Sequence, residues 1–89
     1  MPGTVLQKTD MSQDLTKEAT KRIQELMDQL KDPKRVGSQL KQEFDKMHGR
    51  AWHCVVGRDF HSFISYEKGT FLDVACGDYN FILFKSGSA

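Results

Sequence analysis

The sequence predicts an α+β domain: two N-terminal helices packed beside an antiparallel sheet of four to five strands. Two observations carry that prediction. Residues 12–48 set apolar side chains at helical spacing among many charges, whereas residues 51–85 are aromatic, β-branched and broken by short glycine-containing turns. Strands that follow one another without intervening helices pair antiparallel, so this segregation argues against an alternating α/β fold.

Each element has a local cause. "TVLQKT" (4–9) reads as a short strand. Ser12 is placed to cap a helix, with Asp14 in the first turn where a carboxylate meets the positive end of the helix dipole. Leu15, Ala19, Ile23, Leu26 and Leu30 then form an amphipathic stripe that ends near Lys31. Asp32 and Pro33 pair a cap with proline at the first helical position, so a second helix starts at once. Its apolar stripe is Val36, Leu40, Phe44 and Met47, and Gly49 suits a left-handed terminus. Gly37 within it costs roughly 1 kcal/mol relative to alanine, which suggests close packing or slack near the helix start.

Four β-rich runs follow: 51–57, 60–66, 70–76 and 79–85. The connections "RD", "EKG" and "GD" are of hairpin length, so the runs are expected to form a meander. Trp52, Cys54 and Val56 alternate with His53 and Val55, and Phe81 and Leu83 with Ile82 and Phe84, which makes both sheet faces apolar. Two helices cover one face only. A symmetric second copy is the expected cover for the other, and 89 residues make a core small enough to benefit from one.

Composition excludes several classes. Thirteen Lys and Arg against 12 Asp and Glu leave a formal charge of +1, which gives no reason to expect nucleic acid or a membrane surface as partner. No apolar run approaches the roughly 18 residues of a membrane span, and the N-terminus lacks a signal-peptide core, so an intracellular protein is expected. Cys54 and Cys76 lack CxxC spacing and read as reduced, packed thiols. His53 and Cys54 are adjacent on a strand and point to opposite faces, so they cannot share a metal. A thiol in mid-strand without a positioned base or an anion hole is no nucleophile. Glu43 and Asp45, two apart on a helix, face different directions and read as solvated charges, as do the cations of "KDPKR". His48 and His61 read as exposed or partly packed. No EF-hand loop is present. No catalytic residue, metal or cofactor is expected. What remains is a strand among large and polar side chains, "DFHSFISY", able to pair with another strand if it lies at a sheet edge.

At "KQEFDKMHGRAWHCVVGRDFHSFISYE" and "FILFKSG" the chain resembles the smallest class of dynein light chain, a dimeric hub, from about Val5 to Gly87. The resemblance implies one domain over 1–89 with residues 1–3 disordered. It implies a strand-swapped homodimer in which 60–66 crosses to the partner's sheet. It implies no enzymatic activity, but two symmetric grooves that add short client segments as strands, with the dynein intermediate chain among the clients, in the cytoplasm on the microtubule cytoskeleton. By motif, the groove strand is Phe60, His61, Ser62, Phe63, Ile64, Ser65 and Tyr66. Phe71, Asp73, Ala75 and Ile82 line its floor, and Asp10 lies near its end. Pro33 and Lys34 of the other subunit meet a client glutamine. His53, Phe60, Ser62 and Ser86 match the dimer interface.

Several positions depart from the family pattern. His61 stands where a glycine is usual, Asp73 and Ala75 where tyrosines are, Tyr66 for a histidine and Pro33 for an acidic residue. Backbone pairing survives such changes better than a Thr-Gln-Thr preference does. The divergence suits a specialised paralogue, such as the light-chain-like domains of helminth tegumental calcium-binding proteins. That alternative implies a dimerisation or structural domain with altered or lost groove binding, located in the tegument.

Overall fold

A computed structural model of the chain describes residues 3–58 and 65–86. The element order is β1 (Thr4–Thr9), α1 (Gln13–Leu30), α2 (Pro33–His48), β2 (Trp52–Gly57), β3 (Leu72–Cys76) and β4 (Tyr79–Lys85). The α+β class is as expected, with two helices on one face of a four-stranded antiparallel sheet.

Both helices begin where their caps dictate. Ser12 Oγ accepts the Leu15 N–H at 3.1 Å, and Asp32 accepts the Lys34 N–H at 3.1 Å with Pro33 opening α2. Lys31 closes α1 in the left-handed region (φ 56°), donating its N–H to Met27 O, and Gly49 follows α2 at φ 80°. Ala19, Ile23 and Leu26 are buried, with Leu15 and Leu30 packed against them. On α2, Val36, Leu40 and Phe44 are buried but Met47 is 56% exposed, a correction to the expected stripe. The steps of four continue to His48 instead, whose ring lies 5.0 Å from Phe44 and 6.2 Å from Trp52.

The strand order is β1-β3-β4-β2, not a meander. The Gly77–Asp78 turn does join β3 and β4 as a hairpin, but β2 pairs with β4, from Trp52↔Lys85 to Gly57↔Asn80. Turn length says which strands can form a hairpin; burial decides which one takes the centre. Phe81 and Leu83 are buried beneath the helices while Ile82 and Phe84 are 5% and 9% exposed on the opposite face, so β4 needs strands on both sides. The expected strand 60–66 lies mostly outside the described residues. Its described end, Ser65 and Tyr66, is not in a strand, and the Tyr66 ring packs on Phe71 at 4.8 Å.

Under the helices, Leu72, Val74, Cys76, Phe81, Leu83 and Trp52 join the buried helix residues in one core. Glu43 and Asp45 are not the solvated charges expected. Glu43 takes a two-pronged bond from Arg22 (both 2.7 Å) and so ties α2 to α1. Asp45 accepts the Trp52 N–H at 2.8 Å and pairs with the Lys41 ammonium, tying α2 to the start of β2. Both side chains are more than four-fifths covered, and the pairing accounts for it, since a covered carboxylate needs partners. These partners hold both carboxyl groups below the usual carboxylate range: first the Arg22 guanidinium for Glu43, first the Lys41 ammonium for Asp45.

Candidate functional site

Among the described residues the sheet order leaves β1 and β2 as edge strands, so β2 offers one row of main-chain N–H and C=O groups that no described strand pairs. Along that edge, beside α2, runs an open groove of about 450 Å³ lined by Lys34, Gly37, Ser38, Lys41, His53, Cys54, Val55 and Val56. Gly37 sets its width. A Cβ built there would lie 2.6 Å from Val56 Cγ2, so α2 approaches β2 more closely than any side chain permits. The glycine reflects close packing, not slack.

Strand alternation distributes the chemistry as expected. Cys54 points towards α2, and burial pushes its thiol up to about 12; Cys76 is fully buried, and burial raises its thiol as well. Both are free. A protonated, covered thiol is a packing group rather than a nucleophile. No group of His, Cys, Asp or Glu among the described residues is arranged to hold a metal ion.

His53 points the other way, exposed, its ring stacked on Phe84 at 5.2 Å. Cross-strand pairing joins Val55 to Ile82 and Ile82 to Asp73, and Ala75 to Asn80. The expected floor residues Asp73, Ala75 and Ile82 therefore share the face away from the helices, next to Val55 (38% exposed). Asn80 donates to Gln7 Oε1 at 2.5 Å and weakly to Asp73 at 3.5 Å. Phe71, just before β3, lies between Tyr66 and the Lys8 ammonium, the latter 6.0 Å from its ring.

The Asp10 carboxylate accepts the Gly69 and Phe71 N–H groups at 2.9 and 2.8 Å, which fixes the turn leading into β3. Ser86 donates its N–H to Ala51 O at 3.2 Å, one residue before β2. Pro33 and Lys34 stand at the head of α2, with Lys34 on the groove and the floor residues on the other side of the sheet. Within one chain, then, Lys34 and His53 meet at the edge groove while Phe71, Asp73, Ala75 and Ile82 do not join Lys34. Phe60, His61, Ser62, Phe63 and Ile64 lie outside the described residues. Gly37, Ser38 and Lys41 complete the groove wall, and sequence reasoning does not find them as site residues. Gly37 is legible as an unexplained glycine in a helix, but nothing in its spacing says that β2 lies opposite.

Two helices lie on one face of an antiparallel sheet whose outer strand β2 is open beside α2 among the described residues, the form of a small adaptor or dimerisation module of the family that follows. The family model described as dynein light chain type 1 matches residues 4–86, and the chain belongs to that family. Two solved structures of the dynein light chain-like domain of the Fasciola hepatica calcium binding protein FhCaBP2 share its fold. One, of a mercury derivative, has TM-score 0.82 and 18% identity over 96% of this chain and 93% of the other. The second, of native crystals, has TM-score 0.85 and 18% identity over 97% and 93%.

Proposed function

We propose that the protein is a non-enzymatic homodimeric adaptor that binds short linear segments of client proteins by β-strand addition, as a light chain of a dynein motor complex. One observation carries this reading: the edge of β2, unpaired among the described residues, opens onto a groove against α2, where an added strand finds main-chain partners and a side-chain wall. The opposite sheet face supports the dimer. His53, Val55 and Ala75 leave apolar surface there, beyond the helices' reach. In this reading, residues 60–66 of each copy take the β2 edge of the other, the client strand pairs with the outer side of 60–66 beside α2, and His53, Phe60, Ser62 and Ser86 lie at the two-fold. Phe71, Asp73, Ala75 and Ile82 of one copy, with Pro33 and Lys34 of the other, complete a client groove. Two grooves on one dimer act on paired clients through avidity. Family membership supports protein partners and a non-enzymatic role. A cytoplasmic, microtubule-associated location follows from the same reading.

A second reading has its own support, the likeness to a domain named as part of a calcium binding protein. In it the chain dimerises within a tegumental or cytoskeleton-associated assembly, and His61 fills the groove that a glycine would leave open. Sedimentation velocity combined with calorimetric titration of a Thr-Gln-Thr peptide tests both. A dimer that binds the peptide supports the adaptor. A dimer that binds only after His61→Gly supports the second reading, and a monomer at tens of micromolar defeats both.

A further inference from the structure

The charge of the groove wall selects among clients. Its cations are Lys34 and Lys41, and no carboxylate lines it among the described residues. Lys41 is already matched, since its ammonium pairs with Asp45 from the same helix. Lys34 is not: it is exposed, and its ammonium has no hydrogen bond or ion pair with any described residue. Lys31 and Arg35, also exposed, flank it in sequence, against the single carboxylate of Asp32, which is engaged in capping α2. The potential along the groove is therefore polarised, positive at the head of α2 and balanced towards its middle.

Resting on the strand-addition reading, we propose that this groove prefers extended segments that carry an aspartate or glutamate side chain opposite Lys34. Main-chain pairing accepts any extended sequence, so discrimination must come from the wall. A carboxylate there meets an unmatched ammonium, whereas a lysine or arginine meets a like charge. An exposed pair contributes modestly, so an acidic client is expected to bind about two- to fivefold more tightly than its amide counterpart at low salt. The preference fades near 1 M salt, where screening acts over about 3 Å.

The test is selection from a displayed random octapeptide library against the wild-type protein, Lys34→Gln and Lys34→Glu. The leading peptides are then titrated as Glu, Gln and Lys versions at the acidic position. Enrichment of Asp or Glu at one position, lost in Lys34→Gln and reversed towards Lys or Arg in Lys34→Glu, supports the proposal. Enriched peptides without an acidic position, or an acidic preference that survives Lys34→Glu, overturn it while strand addition stands. No enrichment at all overturns strand addition, and this preference with it. Lys34 is exposed, so both variants should keep wild-type circular dichroism.

Discussion

Gly37 on α2 and Val56 on β2 are so close that a methyl group on the first would lie 2.6 Å from Cγ2 of the second. Gly37→Ala gains roughly 1 kcal/mol of helix propensity but forces a shift of β2 or of the stiff valine, an overpacking cost of about 1–3 kcal/mol. A net loss of up to about 2 kcal/mol is expected in urea unfolding. Val56→Ala removes the obstructing methyl, so Gly37→Ala should cost less in that background. An equal cost in both backgrounds refutes the contact as the cause.

The Arg22–Glu43 fork predicts a pH dependence. Glu43 is held below the usual carboxylate range in the folded chain, so its stabilisation is complete above the unfolded value, about 4.3. It is lost as pH falls through the lower folded value. Glu43→Gln cannot titrate, so its melting temperature should fall less steeply between pH 5 and 3 than wild type does. Parallel curves would remove Glu43 from the account.

Asp45 holds the entry to β2 through the Trp52 N–H at 2.8 Å. Asp45→Ala leaves that donor unpaired, at a cost of about 1–3 kcal/mol. Asp45→Asn keeps an acceptor and should cost less. Urea midpoints for the two variants decide, and Asn as damaging as Ala counts against the hydrogen bond.

Val55 lies on the exposed face of an edge strand, beside the groove and on the face that the proposed dimer would bury. Val55→Lys should fold as wild type but weaken self-association by about tenfold or more, because assembly would bury an unpaired charge. Analytical ultracentrifugation over a dilution series reads this. Unchanged association would move the interface elsewhere.

The thiols give a simple chemical check. Burial raises both, Cys54 to about 12, so Ellman's reagent at pH 8 should react slowly with the native protein and with two thiols after unfolding. Rapid reaction of the native chain with one equivalent would show Cys54 to be open and reactive.

Much of this molecule is written locally. Ser12, Asp32 and Pro33 start the helices, and the spacing of Ala19, Ile23, Leu26, Val36, Leu40 and Phe44 turns their apolar faces inward, because caps and periodicity act within a few residues. Alternation in 52–56 likewise sends His53 and Cys54 to opposite faces without any knowledge of their neighbours. The family is legible in motifs spread over the chain. The tertiary structure decided what depends on distant partners. It made β4 an inner strand, flanked by β3 and β2, where Ile82 and Phe84 are covered as well as Phe81 and Leu83. That choice left the β2 edge open beside α2. It turned Glu43 and Asp45 from surface charges into ties between elements, and it put His48 rather than Met47 against Trp52. Strand order and ion pairs join residues dozens of positions apart, and turn length or helical period carries no record of which distant surface each will meet.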